Sequence, residues 1–116
     1  MKYTEKGTLV LDGKLVAKEM QNSIKEKIDS SGIKITLATV LVGDDKPSQL
    51  YVNNKHKQAT ASSINSIHVN LPGDISQADL ENKISELGSD AAINGILVQM
   101  PLPKGLNEDR VIEMIP

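Results

Sequence analysis

The sequence predicts an α/β protein: three layers, with a mostly parallel sheet flanked by helices. Two observations carry that reading. After a short lead-in, segments with helical periodicity alternate with short apolar runs, in the order helix, strand, helix, strand, helix, strand, helix. The run Leu37 to Val42 is also apolar almost without interruption, as expected of a central strand covered on both faces.

Met1 to Leu11 reads as a lead-in with one edge strand at Gly7 to Leu11. Asp12 caps a first helix, on which Val16, Met20, Ile24 and Ile28 recur every four residues as one apolar stripe. Gly32 closes it in the left-handed conformation that glycine adopts without penalty. Ile33 to Val42 is the central strand, and Gly43-Asp44-Asp45 breaks it. Asp45 then caps a second helix with Pro47 in its first turn, where no backbone N–H is needed. Ile64 to Leu71 alternates at Ile67, Val69 and Leu71, a more exposed strand ended by Pro72-Gly73-Asp74. Ser76 opens a third helix with Leu80, Ile84 and Leu87 on its buried face and Gly88 at its end. Gly95 to Met100 is another buried strand, stopped by Pro101-Leu102-Pro103, and Asn107 caps a last helix through Val111, Ile112 and Ile115.

Composition narrows the chemistry. The 116 residues suffice for one domain with a real core, built from aliphatic side chains because there is no Phe and no Trp. A net charge of −2 with mixed signs and so few aromatics gives no footprint for nucleic acid. Zero cysteines exclude disulfides, thiolate metal sites and a cysteine nucleophile, and two isolated histidines, His56 and His68, make no zinc site, so no metal is expected. His56 reads as a surface residue, and His68 falls on the polar side of its strand. No signal peptide and no membrane-spanning run is visible, so no membrane partner is expected and the cytoplasm is the expected compartment. Neither G-x-G-x-x-G nor G-x-x-x-x-G-K-[ST] occurs, so no dinucleotide or P-loop phosphate site is expected in this chain.

Ligands of open α/β sheets bind beyond the carboxyl ends of the strands, and two strand ends here carry unusual residues. In the first, Tyr51 and Lys55 stand one helical turn apart on one face, a phenol beside an amine. Such pairs are common on amphipathic helices and ordinarily mean a half-buried tyrosine beside a solvated lysine. In the second, Gln99 interrupts an apolar strand just before Pro101. A buried carboxamide without partners costs on the order of 1–3 kcal/mol, so it bonds either to neighbouring backbone or to a functional group. Pro101-Leu102-Pro103 forms a rigid, partly apolar lip.

Read together, Gly43-Asp44-Asp45-x-x-Ser48-x-x-Tyr51-Val52-x-x-Lys55 and Gly95-Ile96-Leu97-Val98-Gln99-Met100-Pro101-Leu102-Pro103 resemble the amino-terminal domain of the methylenetetrahydrofolate dehydrogenase/cyclohydrolase family. The likeness runs from Leu11-Asp12-Gly13-Lys14 to Leu106-Asn107-Glu108. It implies that Lys55 is the catalytic lysine, that Tyr51 stacks on the folate and contacts the lysine, and that Gln99 hydrogen-bonds and tunes it. Ser48 is implied to lie in the same pocket, with Met100 and Pro101 also contacting tetrahydrofolate.

The departures are specific. Ala59-Thr60-Ala61-Ser62-Ser63-Ile64 stands where the family commonly has a cysteine–glutamate pair and a glycine, and Gly105 where histidine is frequent. The family's following Lys-Asp-Val-Asp-Gly segment and its Rossmann domain are not in the sequence. Residues 1–116 are therefore expected to be the tetrahydrofolate-binding catalytic domain, truncated before the NAD(P)-binding domain. The resemblance implies that the complete enzyme is a homodimer, with the NADP or NAD site and much of the dimer contact in its cofactor domain.

The resemblance also implies the reactions: oxidation of 5,10-methylenetetrahydrofolate by hydride transfer, then hydrolysis of the 5,10-methenyl cation to 10-formyltetrahydrofolate. Hydrolysis is the step that needs an acid–base group, because water must lose a proton as it attacks. A neutral glutamine orients an amine without favouring its charged form as a carboxylate would. Two other classes stay open: a non-catalytic folate-binding module, and an α/β interaction domain that retains the fold.

Overall fold

A computed structural model of the chain describes residues 2–116; Met1, the first residue of the expected lead-in, lies outside them. The lead-in is a hairpin rather than a single edge strand. β1 (Lys2–Tyr3) and β2 (Leu9–Val10) pair antiparallel, apart from the main sheet. The reversal is local: Gly7 sits at φ 80, and Thr4 Oγ1 accepts the Thr8 N–H at 3.1 Å.

Helix α1 (Gly13–Ser31) begins as its sequence dictates, with Asp12 Oδ1 accepting from the amides of Lys14 and Leu15, and ends at Gly32 with φ 70. Its apolar stripe forms but is largely uncovered. Val16, Met20 and Ile24 are 45%, 60% and 41% exposed, and only Ile28 reaches the interior. With this helix and the hairpin so exposed, the radius of gyration is 17.6 Å, against about 13 Å for a compact chain of this length.

The sheet that organises the rest is wholly parallel. It comprises β3 (Thr36–Val42), β4 (Asn65–Leu71) and β5 (Gly95–Val98) in the order β4-β3-β5. Side chains alternate between its faces. Ala38, Val40, Val42, Ile96 and Val98 turn toward α3 (Gln77–Ser89) and α4 (Glu108–Glu113), forming the core with Leu80, Ile84, Leu87 and Val111. Leu37, Thr39 and Leu41 turn the other way, toward α2 (Lys46–Ala61), whose Val52 and Ala59 are buried. The three layers are thus α2, the sheet, and α3 with α4.

Two helix ends differ from expectation. α3 continues through Gly88 to Ser89. A Cβ at Gly88 would lie 3.0 Å from Pro116 Cγ, so close packing, not a turn, explains the glycine. α4 stops at Glu113, short of Ile115, and Ile112 is 53% exposed. It is held on α3 by Arg110 Nε, which donates to Glu81 Oε1 at 2.6 Å. Among the described residues no helix is long and apolar enough to cross a membrane.

Candidate active site

Three loops converge where the strands end. After β3, Gly43 turns the chain with φ 90, a backbone conformation that side chains disfavour, and its N–H donates to Leu71 O at 2.9 Å. An added Cβ there would meet Gly73 Cα and Pro103 Cγ, each at 3.7 Å, so the turns after β4 and β5 pack directly on it. Asp45 then starts α2. Its Oδ2 accepts the Ser48 N–H at 3.0 Å and the Ser48 hydroxyl at 2.8 Å.

This double contact places Ser48, 2% exposed, in the helix cap, with its hydroxyl committed to Asp45. The Asp-x-x-Ser spacing is the signal that could have shown it. Asp45→Ala removes the acceptor of both bonds and should lower stability by about 1–2 kcal/mol. Urea unfolding checks this; an unchanged midpoint would show the cap to be dispensable.

Seven residues on from Ser48, Lys55 reaches across to the end of β5, and its Nζ donates to Gln99 Oε1 at 2.7 Å. Gln99 is held on both sides. Its backbone N–H donates to Val40 O at 2.9 Å, carrying the parallel ladder one residue beyond β5. Its side-chain Nε2 donates to Met100 O at 3.0 Å. One neighbour offers a donor and the other an acceptor, so only one orientation of the carboxamide satisfies both. Gln99 is 8% exposed, and an unpaired amide there would carry the full desolvation cost. The amide therefore serves both readings open in the sequence, bonding backbone and lysine at once.

Tyr51 stands one turn before Lys55 and is 57% exposed, beside Leu50 at 59%. The partner of the Lys55 amine is Gln99 rather than this phenol. The Met100–Pro101 peptide bond is cis, with Pro101 exposed and Met100 partly buried. Sequence reasoning missed the group that fixes this lip: Glu108 Oε1 accepts the Leu102 N–H at 3.1 Å from the start of α4. It also misread His56, which is partly buried and packs edge-on against His68 with ring centroids 4.6 Å apart.

The fold and site together define a parallel α/β domain with a lysine–carboxamide pair at its strand ends and an exposed aromatic beside it. The chain belongs to the tetrahydrofolate dehydrogenase/cyclohydrolase family, whose catalytic-domain model matches residues 11–116. It is 46% identical over 107 residues to the bifunctional protein FolD of Methanosphaerula palustris, covering 92% of this chain and 38% of that protein. The FolD methylenetetrahydrofolate dehydrogenase/cyclohydrolase of Campylobacter jejuni superposes with a TM-score of 0.89 at 38% identity, covering 93% of this chain and 39% of the other. The Trypanosoma brucei enzyme, solved with NADP and an inhibitor, gives a TM-score of 0.84 at 32% identity, covering 93% and 38%. The chain thus spans less than two fifths of the length of these relatives.

Proposed function

We propose that residues 1–116 form the folate-binding catalytic domain of a bifunctional 5,10-methylenetetrahydrofolate dehydrogenase and 5,10-methenyltetrahydrofolate cyclohydrolase of one-carbon metabolism. The observation that supports it most directly is the 2.7 Å bond from Lys55 Nζ to Gln99 Oε1, made by a buried neutral amide at the strand ends. A structural lysine is usually paired with a carboxylate or left in solvent. A lysine oriented by a carboxamide keeps its amine positioned without an added negative charge favouring the ammonium.

In this reading the substrate's aromatic part stacks on the Tyr51 ring, with Met100 and Pro101 forming the opposite lip. Lys55 takes a proton from the water that attacks the methenyl carbon, and returns a proton to the ring nitrogen that leaves. Gln99 is a positioning residue, and Ser48 contributes by fixing the start of the helix that carries Tyr51 and Lys55.

The N-terminus of α2 does not suit the pyrophosphate of a nicotinamide cofactor. The strand–glycine–helix turn that leads into α2, β3–Gly43–α2, is followed by Asp44 and Asp45. The Asp45 carboxylate already occupies the helix N-terminus where a pyrophosphate would bind. The chain alone should therefore show no NAD(P)+-dependent oxidation of methylenetetrahydrofolate. Nicotinamide reduction above that of a Lys55→Ala control would contradict this.

Titration calorimetry with 5-formyltetrahydrofolate tests the binding itself. Tyr51→Ala should weaken the complex more than Tyr51→Phe, because only the first loses stacking area. Equal losses would assign the contact to the hydroxyl, and no heat at millimolar ligand would leave an α/β interaction domain. Binding without any methenyl hydrolysis in a chain joined to the remainder of the Methanosphaerula protein would identify a non-catalytic folate-binding module.

A further inference from the structure

α2 has a second flank, facing away from β5, and there its seam with the sheet is polar on both sides. Gln49, Asn53 and His56 share one helical face, at i, i+4 and i+7. Ser66, His68 and Asn70 share one face of β4, in register with Leu37, Thr39 and Leu41 of β3. The two sets meet, since the His56 and His68 rings touch at 4.6 Å. A helix normally covers a sheet with apolar side chains, and here the β4 side is polar instead.

Two buried atoms of this seam, His56 Nδ1 and Ser66 Oγ, have no hydrogen-bond partner among the described residues. Each such atom costs on the order of 1–3 kcal/mol unless something from outside the chain bonds it. The same seam holds a half-open cavity of about 350 Å³, which neither His56 nor Ser66 lines; it is walled by the exposed Gln49, Asn53, His68 and Asn70 and floored by Leu41 and Val52. Its size falls at the low end of small-molecule sites, enough for one or two fused rings and too little for a dinucleotide.

We infer that this cavity is a second ligand site, separate from the Lys55–Gln99 pair, and that it takes an uncharged planar heterocycle of the nucleobase type. Three carboxamides present paired donors and acceptors, the pattern that matches the hydrogen-bonding edge of a lactam or amidine ring. The apolar floor suits the ring's face. No carboxylate, ammonium or guanidinium lines the cavity, and its one titratable side chain is His68, so a cationic ligand finds no counter-charge and a neutral one loses least water.

The test uses the 116-residue chain labelled with ¹⁵N, titrated with uracil and adenine, with orotate as the charged counterpart. At least one neutral base should give saturable shifts below about 20 mM, centred on the side-chain amides of Gln49, Asn53 and Asn70 and the Gly43 N–H. Orotate should bind at least about tenfold more weakly. Asn53→Leu and Asn70→Leu, both at exposed positions, should each weaken the neutral base about tenfold or more while leaving 5-formyltetrahydrofolate binding unchanged. Either variant that keeps a dispersed spectrum suffices for the comparison. The inference fails if neither base saturates, if the shifts coincide with those of 5-formyltetrahydrofolate at Tyr51 and Gln99, or if a folded variant binds as the parent does. It also fails if orotate binds as well as the neutral bases.

Discussion

Lys55→Met, in the chain joined to the remainder of the Methanosphaerula relative, is expected to lower methenyltetrahydrofolate hydrolysis by about 10²–10⁴-fold, the usual loss when an acid–base group is removed. Methionine keeps much of the lysine stem's apolar length while deleting the amine. Lys55 is exposed, and among the described residues its side chain bonds Gln99, so the helix has little reason to unfold. What the substitution strands is the buried Gln99 Oε1 acceptor, at a cost on the order of 1–3 kcal/mol in stability. Nicotinamide reduction should fall less, because hydride loss gives a resonance-stabilised cation and needs geometry more than a proton acceptor. Both rates are measured on one preparation, with circular dichroism confirming the fold. Hydrolysis near the parental rate in a folded Lys55→Met protein would return Lys55 to the role of an ordinary solvated lysine.

The sequence revealed elements whose causes are local and missed those whose causes lie far along the chain. Asp12, Asp45, Ser76 and Asn107 each accept an amide of the helix they precede, a relation contained within three residues. Leu80, Ile84 and Leu87 are buried as their spacing requires, because α3 has a sheet to cover. The same kind of periodicity in Val16, Met20 and Ile24 marks a face without saying what meets it, and in this structure that face stays in solvent. Gly88 looked like a terminator because nothing nearby in sequence reveals that Pro116 will press against it.

The candidate site divides in the same way. Tyr51 and Lys55 are neighbours by helical arithmetic alone. That Gln99 would meet Lys55, 44 residues away, followed only from the family resemblance, since pairing of β3 with β5 brings it there. The bond from Glu108 to the Leu102 amide and the packing of His56 on His68 leave no mark in the linear pattern.

The second large effect is expected at Gln99, and its sign distinguishes positioning from packing. Gln99→Glu is nearly isosteric, so the contact to Lys55 at 2.7 Å should persist, now as an ion pair. The Met100 carbonyl loses its Nε2 donor, which costs some stability without opening the site. A carboxylate this close to an amine favours the ammonium form. The neutral amine needed as base would then appear only at higher pH. Hydrolysis near neutral pH should drop by about tenfold or more, and its rise with pH should move upward. Gln99→Leu removes the partner without adding charge; it should lower the rate and leave the position of the pH profile nearer the parent's. Profiles of all three proteins, read on methenyl hydrolysis over the pH range where the substrate is stable, decide the matter. If Gln99→Glu lowers the rate equally at every pH, the carboxamide acts through packing alone and the proton-transfer role assigned to its partner loses its main support.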